Sequence, residues 1–176
     1  MLLLPGVIQE NGGGLRRRGM KLSTRSRYGT RLMLDMAQHY REGPIQLGDI
    51  AKRQEVSVKY LEQIIIPLKK AHYIESVRGR KGGHILTKPP EEITVGEIVA
   101  LLEAGTSLVE CAEDTTVCER SDTCPTRLLW KEAYEAMFDR LEAMTLADLV
   151  ERAKDMESKS LNHCSKVVIQ HLRHPQ

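Results

Sequence analysis

Residues 45–86 constrain the fold more than any other part of the chain. Leu47, Ile50 and Ala51 are spaced as one face of a short helix, and Glu55-Val56-Ser57 interrupts it. Leu61, Ile64, Ile65 and Leu68 then mark the buried stripe of a longer helix that Ser57 can cap. Tyr73 to Val77 reads as a short strand, Arg78-Gly79-Arg80-Lys81-Gly82-Gly83 as a turn, and His84 to Leu86 as the returning strand. Short helix, tight turn, longer helix and basic hairpin make a winged helix-turn-helix, so the expected class is mainly α with a small β wing.

On the face of the longer helix opposite its buried stripe lie Lys59, Gln63, Ile66 and Lys70, with Glu62 on the flank. Near a helix N-terminus these polar types match base edges: Lys pairs with guanine, Gln with adenine and Glu with the cytosine amino group. A solvated outer face without a partner would have the same composition. The hairpin decides between the two, because Arg78, Arg80 and Lys81 at its tip can reach phosphates or a minor groove. A nucleotide phosphate loop is rejected: Lys81 is followed by Gly, and no strand-to-helix context surrounds it. Pro67 removes a backbone hydrogen bond and predicts a kink after the reading end of the helix. His84 reads as a strand surface residue.

Upstream, Leu32, Met33, Met36, Ala37 and Tyr40 define a helix over Ser26 to Tyr40, stopped by Gly43-Pro44. Its start carries Lys21, Arg25, Arg27 and Arg31, with no acid before Asp35. Charge is divided along the chain. Lys21 to Glu92 holds 14 basic and 8 acidic side chains, whereas Ile93 to Ser158 holds 6 basic and 15 acidic, so the first part suits a polyanion and the second repels one. Residues 1–19, with a triple glycine and Arg16-Arg17-Arg18, read as a disordered extension that ends before Met20. No apolar run reaches bilayer-spanning length and Leu2 to Leu4 is too short for a signal-peptide core, so a cytoplasmic protein without membrane partners is expected.

After Pro89-Pro90, Thr94-Val95-Gly96-Glu97 forms a capping box that starts a helix ending near Gly105. Cys111, Cys118 and Cys124 follow, at gaps of six and five residues. Three thiols in a chain kept in reducing surroundings point to soft-metal coordination rather than disulfides. Structural zinc prefers tighter pairs, while iron-sulfur clusters accept longer loops. Pro125 fits the first position of a helix, which places Cys124 at that helix's N-terminus, where a negatively charged thiolate is favoured. The helix carries Leu129, Ala133, Met137, Leu141 and Met144 at spacings of four and three, and a further helix runs from Leu146 to Ala153 behind a Thr145 cap. The preceding chain is too small to bury both, so a two-fold partner is expected to complete the core. The tail from Glu157 is expected to be poorly ordered.

These features together resemble the bacterial winged-helix regulators of the Rrf2 family, the group of IscR-like and NsrR-like proteins. The likeness covers about 20–155. It rests on Met20-Lys21-Leu22, Arg27-Tyr28-Gly29, Tyr60-Leu61-Glu62-Gln63, Val77-Arg78-Gly79, Gly82-Gly83, Val95-Gly96-Glu97-Ile98, the three cysteines and Leu129-Trp130. It implies a homodimer whose helices after the cysteines cross at the two-fold axis, and an iron-sulfur cluster, 2Fe-2S ahead of 4Fe-4S, on Cys111, Cys118 and Cys124. Candidate DNA contacts on a palindromic operator are Arg25, Arg27, Ser57, Lys59, Tyr60, Glu62, Gln63, Arg78, Arg80 and Lys81. Two departures leave the fourth ligand open. Arg127 stands where IscR-like members place a ligating His, and Arg27 where some NsrR-like members place an acid. Glu110, Glu113, Asp114, Glu119, Asp122, His163, Cys164 or an exogenous ligand remain. Glu55 stands at a turn position where relatives often have Gly.

The expected organisation is therefore an extension over 1–19, a winged helix-turn-helix over 20–90, a cluster loop with dimerisation helices over 93–156, and a flexible tail over 157–176. The expected function is cluster-controlled transcriptional repression without enzymatic activity. The rival is a cluster-free regulator of the same fold, governed by zinc, thiol oxidation or binding of a metabolic enzyme. An electron-transfer or catalytic iron-sulfur protein would leave the wing unexplained.

Overall fold

The computed structural model describes residues 22–103 and 109–173, with side chains through 159. The extension 1–19, Lys21, the helix end near Gly105, and the side chains of His163 and Cys164 lie outside what is described.

Helix α1 (Thr24–Gln38) begins where the Ser23 hydroxyl accepts from the Ser26 amide at 3.1 Å. It buries Leu32, Met33, Met36 and Ala37 on one face, as their spacing requires. Helices α2 (Leu47–Arg53) and α3 (Val58–Lys70) form the helix-turn-helix, and the Ser57 hydroxyl caps α3 by accepting from the Tyr60 amide at 3.2 Å. One core joins these helices to Ile74, Leu86, Ile93, Ile98, Leu102 and Leu146. Each such side chain contributes roughly 2 kcal/mol by leaving water.

Both helices of the pair end in the same way. The amides of Glu55 and Val56 donate to the carbonyls of Lys52 and Ala51 at 3.3 and 3.0 Å, and those of His72 and Tyr73 to Lys69 and Leu68 at 3.1 and 3.0 Å. This double closure forces the residue after the cap into the left-handed region, where Glu55 has φ 53° and His72 φ 58°. A side chain there costs about 1–2 kcal/mol, partly offset by the entropy that glycine would lose on folding. Glu55→Gly is therefore expected to stabilise the protein by roughly 0.5–1 kcal/mol, read as a rise in the urea midpoint at unchanged m-value. Helix α3 continues through Pro67 to Lys70, and the carbonyls of Pro67, Leu68 and Lys69 at its end accept from the amides of Ala71, Tyr73 and His72.

Strand β1 (Ile74–Val77) pairs antiparallel with β2 (Gly83–Leu86), with Ile74 opposite Leu86 and Val77 opposite Gly83. Ile45 adds a third, single-residue rung: its amide donates to the His84 carbonyl at 2.9 Å and its carbonyl accepts from the His84 amide at 2.8 Å. A Cβ on Gly83 would lie 2.5 Å from the Ile45 carbonyl oxygen, so this close approach admits only glycine. His84 is half-buried rather than a surface residue. Its Nδ1 meets the Ser76 hydroxyl at 3.2 Å, and Ser76 in turn accepts from Lys69 at 2.6 Å, tying the wing to the end of α3.

The reciprocal cap of Thr94 and Glu97 starts α4 (Val95–Leu102). A short helix α5 (Glu110–Glu113) and two 3-10 turns lead to α6 (Pro125–Glu142) and α7 (Leu146–Arg173). Thr145 and Asp148 cap α7 reciprocally at 2.9 and 3.1 Å. The backbone of α7 is helical to Arg173, beyond the end at Ala153 that its pattern suggested. No Gly or Pro interrupts the chain between Leu146 and His174, so nothing local terminates the helix. No helix among the described residues is long and apolar enough to cross a membrane.

Candidate nucleic-acid interface and cysteine loop

The cap at Ser57 fixes the first turn of α3, and the buried stripe turns Lys59, Glu62, Gln63 and Ile66 outward, all exposed. Arg78, Arg80 and Lys81 are exposed in the wing, and Arg25 and Arg27 at the start of α1. None of these cations is in an ion pair among the described residues, which leaves their charge available to a polyanion. Tyr60 stands apart from this set. Half-buried, its ring meets Tyr28 edge-to-face with centroids 5.7 Å apart, and Arg27 and Arg31 lie over the Tyr28 ring at 5.8 and 5.3 Å. The aromatic pair braces α1 against α3 and leaves the Tyr60 hydroxyl as its polar handle.

The orientation of the helix pair rests on groups that sequence reasoning missed. Asp35 is 1% exposed in α1, and Arg53 of α2 grips it with Nη2 at 2.6 Å from Oδ1 and Nε at 2.9 Å from Oδ2. Gln54 Nε2 donates to the same carboxylate at 2.9 Å. Arg31, the last cation of the basic start of α1, donates to the Gln54 side-chain and main-chain oxygens, each at 2.9 Å. The hint in the sequence was an acid at Asp35, set between Leu34 and Met36 in the most apolar part of α1.

A second missed group joins the two halves of the chain. Glu103, just past α4, accepts from the Ser23 amide at 2.8 Å and so caps α1 across 80 positions of sequence. Burial works against its charge, but the hydrogen bonds from Ser26 and Ser23 outweigh it and hold the carboxyl below its usual range. The main chain that follows Glu103 leads to the cysteine loop.

In that loop Cys111 and Cys124 are half-buried and Cys118 is exposed, all three as free thiols. Cys124 is the residue before α6, with Pro125 at the first helical position. Its sulfur shares a 3.1 Å hydrogen bond with the Thr126 hydroxyl. That bond, the first-turn amides of Arg127 and Thr126, and the charge of Arg120 push the thiol below its ordinary pKa. Arg127 does not stand idle where a fourth ligand was sought. Its Nε donates to the Cys111 carbonyl at 2.6 Å and its Nη1 to the Ser121 carbonyl at 3.4 Å, bracing both parts of the loop against α6. Ser121, buried, donates to the Cys118 carbonyl at 2.6 Å. Three soft donors on one braced loop are chemically suited to iron or zinc. Among the described residues, however, no three His, Cys, Asp or Glu side chains converge as a metal-binding group.

Beyond the loop, no residue of the 18-residue α6 is buried. Leu128, Leu129 and Trp130 are exposed, while Ala133, Met137, Leu141 and Met144 are half-covered. Three large apolar side chains of α6 are thus left exposed to solvent.

Comparison with known proteins bears on both halves. The family model described as Rrf2, iron-dependent transcriptional regulator, matches residues 22–152. The protein rrf2 of Nitratidesulfovibrio vulgaris is 50% identical over 134 residues, 76% of this chain and 89% of that one. Among solved structures, T. potens IscR is 38% identical with a TM-score of 0.66, covering 78% of this chain and 91% of its own. CymR, the global cysteine regulator of B. subtilis, is 37% identical with a TM-score of 0.64, covering 76% and 98%.

Proposed function

Because this chain belongs to the Rrf2 family of transcriptional regulators, whose members here are not enzymes, we propose that it is a homodimeric repressor controlled at its cysteine loop. In this reading Cys111, Cys118 and Cys124 hold an iron-sulfur cluster, 2Fe-2S ahead of 4Fe-4S. The observation that carries it is the seating of the loop directly on the first turn of a helix that keeps Leu128, Leu129 and Trp130 exposed, through Arg127 and Cys124 at the N-cap position. A bound cluster would supply one-electron chemistry responsive to oxidants and iron supply. The chain supplies the rest. Arg127 transmits a change in the position of Cys111 to α6, α6 sets the spacing of two copies, and Glu103 ties the end of α4 to the start of α1. Two reading helices at a changed spacing fit a palindromic operator differently, so a small shift at the two-fold axis alters the population competent to bind.

Contacts with DNA divide by chemistry. Glu62 and Gln63 read base edges, Lys59 reads or neutralises, and Ser57, Tyr60, Arg25, Arg27, Arg78, Arg80 and Lys81 position the duplex. Glu62→Ala is expected to relax base preference, and Arg78→Ala to weaken all sequences about equally while lowering the slope of log K against log salt by roughly 1. Titration of duplex panels at several salt concentrations measures both. Equal weakening of every sequence by Glu62→Ala would remove it from the base-reading set.

A second reading keeps the fold and replaces the cluster by reversible thiol chemistry. The depressed thiol of Cys124 and the likeness to CymR favour it. It predicts a DNA response to oxidant in protein that carries no iron.

A further inference from the structure

One side chain in the outward stripe of α3 is not accounted for by hydrogen-bonding chemistry. Ile66 is 53% exposed, whereas its neighbours Ile64 and Ile65 are 0% and 5%. A single exposed isoleucine on a flank needs no explanation. Ile66 lies on the stripe itself: Lys59, Glu62, Gln63 and Ile66 follow the i, i+3, i+4, i+7 spacing with which a helix lying in a major groove presents side chains to bases. The inner face of the helix is already filled by Leu61, Ile64, Ile65 and Leu68, so no core position is open to it.

Val58, 42% exposed, stands one turn before Glu62 as Ile66 stands one turn after. The row Val58, Glu62, Ile66 thus places a carboxylate between two branched apolar side chains, each roughly 6 Å away along the axis. In the major groove a carboxylate accepts from the cytosine amino group, and a branched apolar group packs on the thymine methyl. Both are pyrimidine features, and about 6 Å corresponds to roughly two base steps at 3.4 Å per step. Lys59, Lys69 and Lys70 on the same exposed surface suit the flanking phosphates.

We propose that Ile66 is a specificity determinant that packs on a thymine methyl about two base steps from the base pair read by Glu62. The assignment rests on the DNA-reading role of α3 given above. It adds a thymine to the half-site, a requirement that the polar residues of the stripe do not impose.

The test has two stages. Duplexes are selected from a random pool by the full-length protein, and each thymine of the selected half-site is then replaced in turn by uracil, which lacks only the methyl group. For the wild-type protein, uracil at one position should weaken binding roughly three- to ten-fold, the scale of one buried methyl. Ile66→Ala should bind the thymine and uracil duplexes alike, and Ile66→Val should retain part of the discrimination. Wild-type binding that is indifferent to uracil at every thymine, or an Ile66→Ala variant that discriminates as well as wild type, overturns the proposal. Failure of the wild-type protein to enrich any duplex overturns the DNA-reading role of α3 and this assignment with it.

Discussion

Arg53→Met is expected to lower the stability of the protein by about 3 kcal/mol, at the lower end of the range for breaking a buried ion pair. The cost falls on Asp35, which stays 1% exposed with its carboxylate facing two guanidinium nitrogens at 2.6 and 2.9 Å. Once Arg53 is gone, what remains at that carboxylate among the described residues is the Gln54 donor and the His39 ring, with Nδ1 3.8 Å from Oδ1. The lower end applies because the Arg53 side chain is 39% exposed, so water already shares the solvation of the pair. For a chain of this size, about 3 kcal/mol corresponds to a fall in Tm of roughly 6–12 °C. DNA binding should fall with it, since the pair sets the angle between α1 and α2 and so the presentation of α3. Replacing both partners, Asp35→Leu with Arg53→Met, should recover most of the loss, because no charge is then left buried without a partner. Melting curves of the two single variants and the double variant give the coupling directly. An Arg53→Met protein as stable as wild type would show that the pair does not hold the helix-turn-helix together.

Cys124→Ala is expected to abolish iron retention and, with it, the response of DNA binding to the signal, while leaving the fold intact. The thiol lies outside the core cluster, so its truncation should change stability by less than about 1 kcal/mol. Cys111→Ala makes the sharper case. The loop brace runs from Arg127 to the main-chain carbonyl of Cys111, which alanine retains, so any loss of metal in that variant reports the thiol and not a collapsed loop. Iron analysis, circular dichroism and operator titration of the three Ala variants separate these roles. Full signal response in all three would move the sensor away from the loop.

How much of this was legible in the sequence follows from the range over which each interaction acts. The capping box at Thr94, the caps at Ser57 and Thr145 and the two strands of the wing are written within a few residues, and each stands where its pattern predicts. Glu55, noted only as an unexpected residue in the turn, adopts the left-handed backbone that explains a preference for glycine there. Contacts across the chain were not legible. The grip of Arg53 on Asp35, the Glu103 cap on α1 and the bond from Arg127 to Cys111 join positions 18, 80 and 16 residues apart, with no periodicity to announce them. The length of α7 was missed for a different reason. After Glu157 the apolar residues are few, but Leu161, Cys164, Val168 and Leu172 keep spacings of three and four with no Gly or Pro between them, a helical signal that was overlooked.

The cluster-controlled reading is tested most directly by purifying the full-length protein without oxygen, recording visible absorbance, iron and acid-labile sulfide, and titrating DNA with the same sample before and after cluster removal. The account predicts a brown protein that contains iron and sulfide and whose DNA affinity changes when they are removed. A colourless protein that cannot be reconstituted with iron and sulfide, and whose DNA affinity is the same throughout, would contradict it.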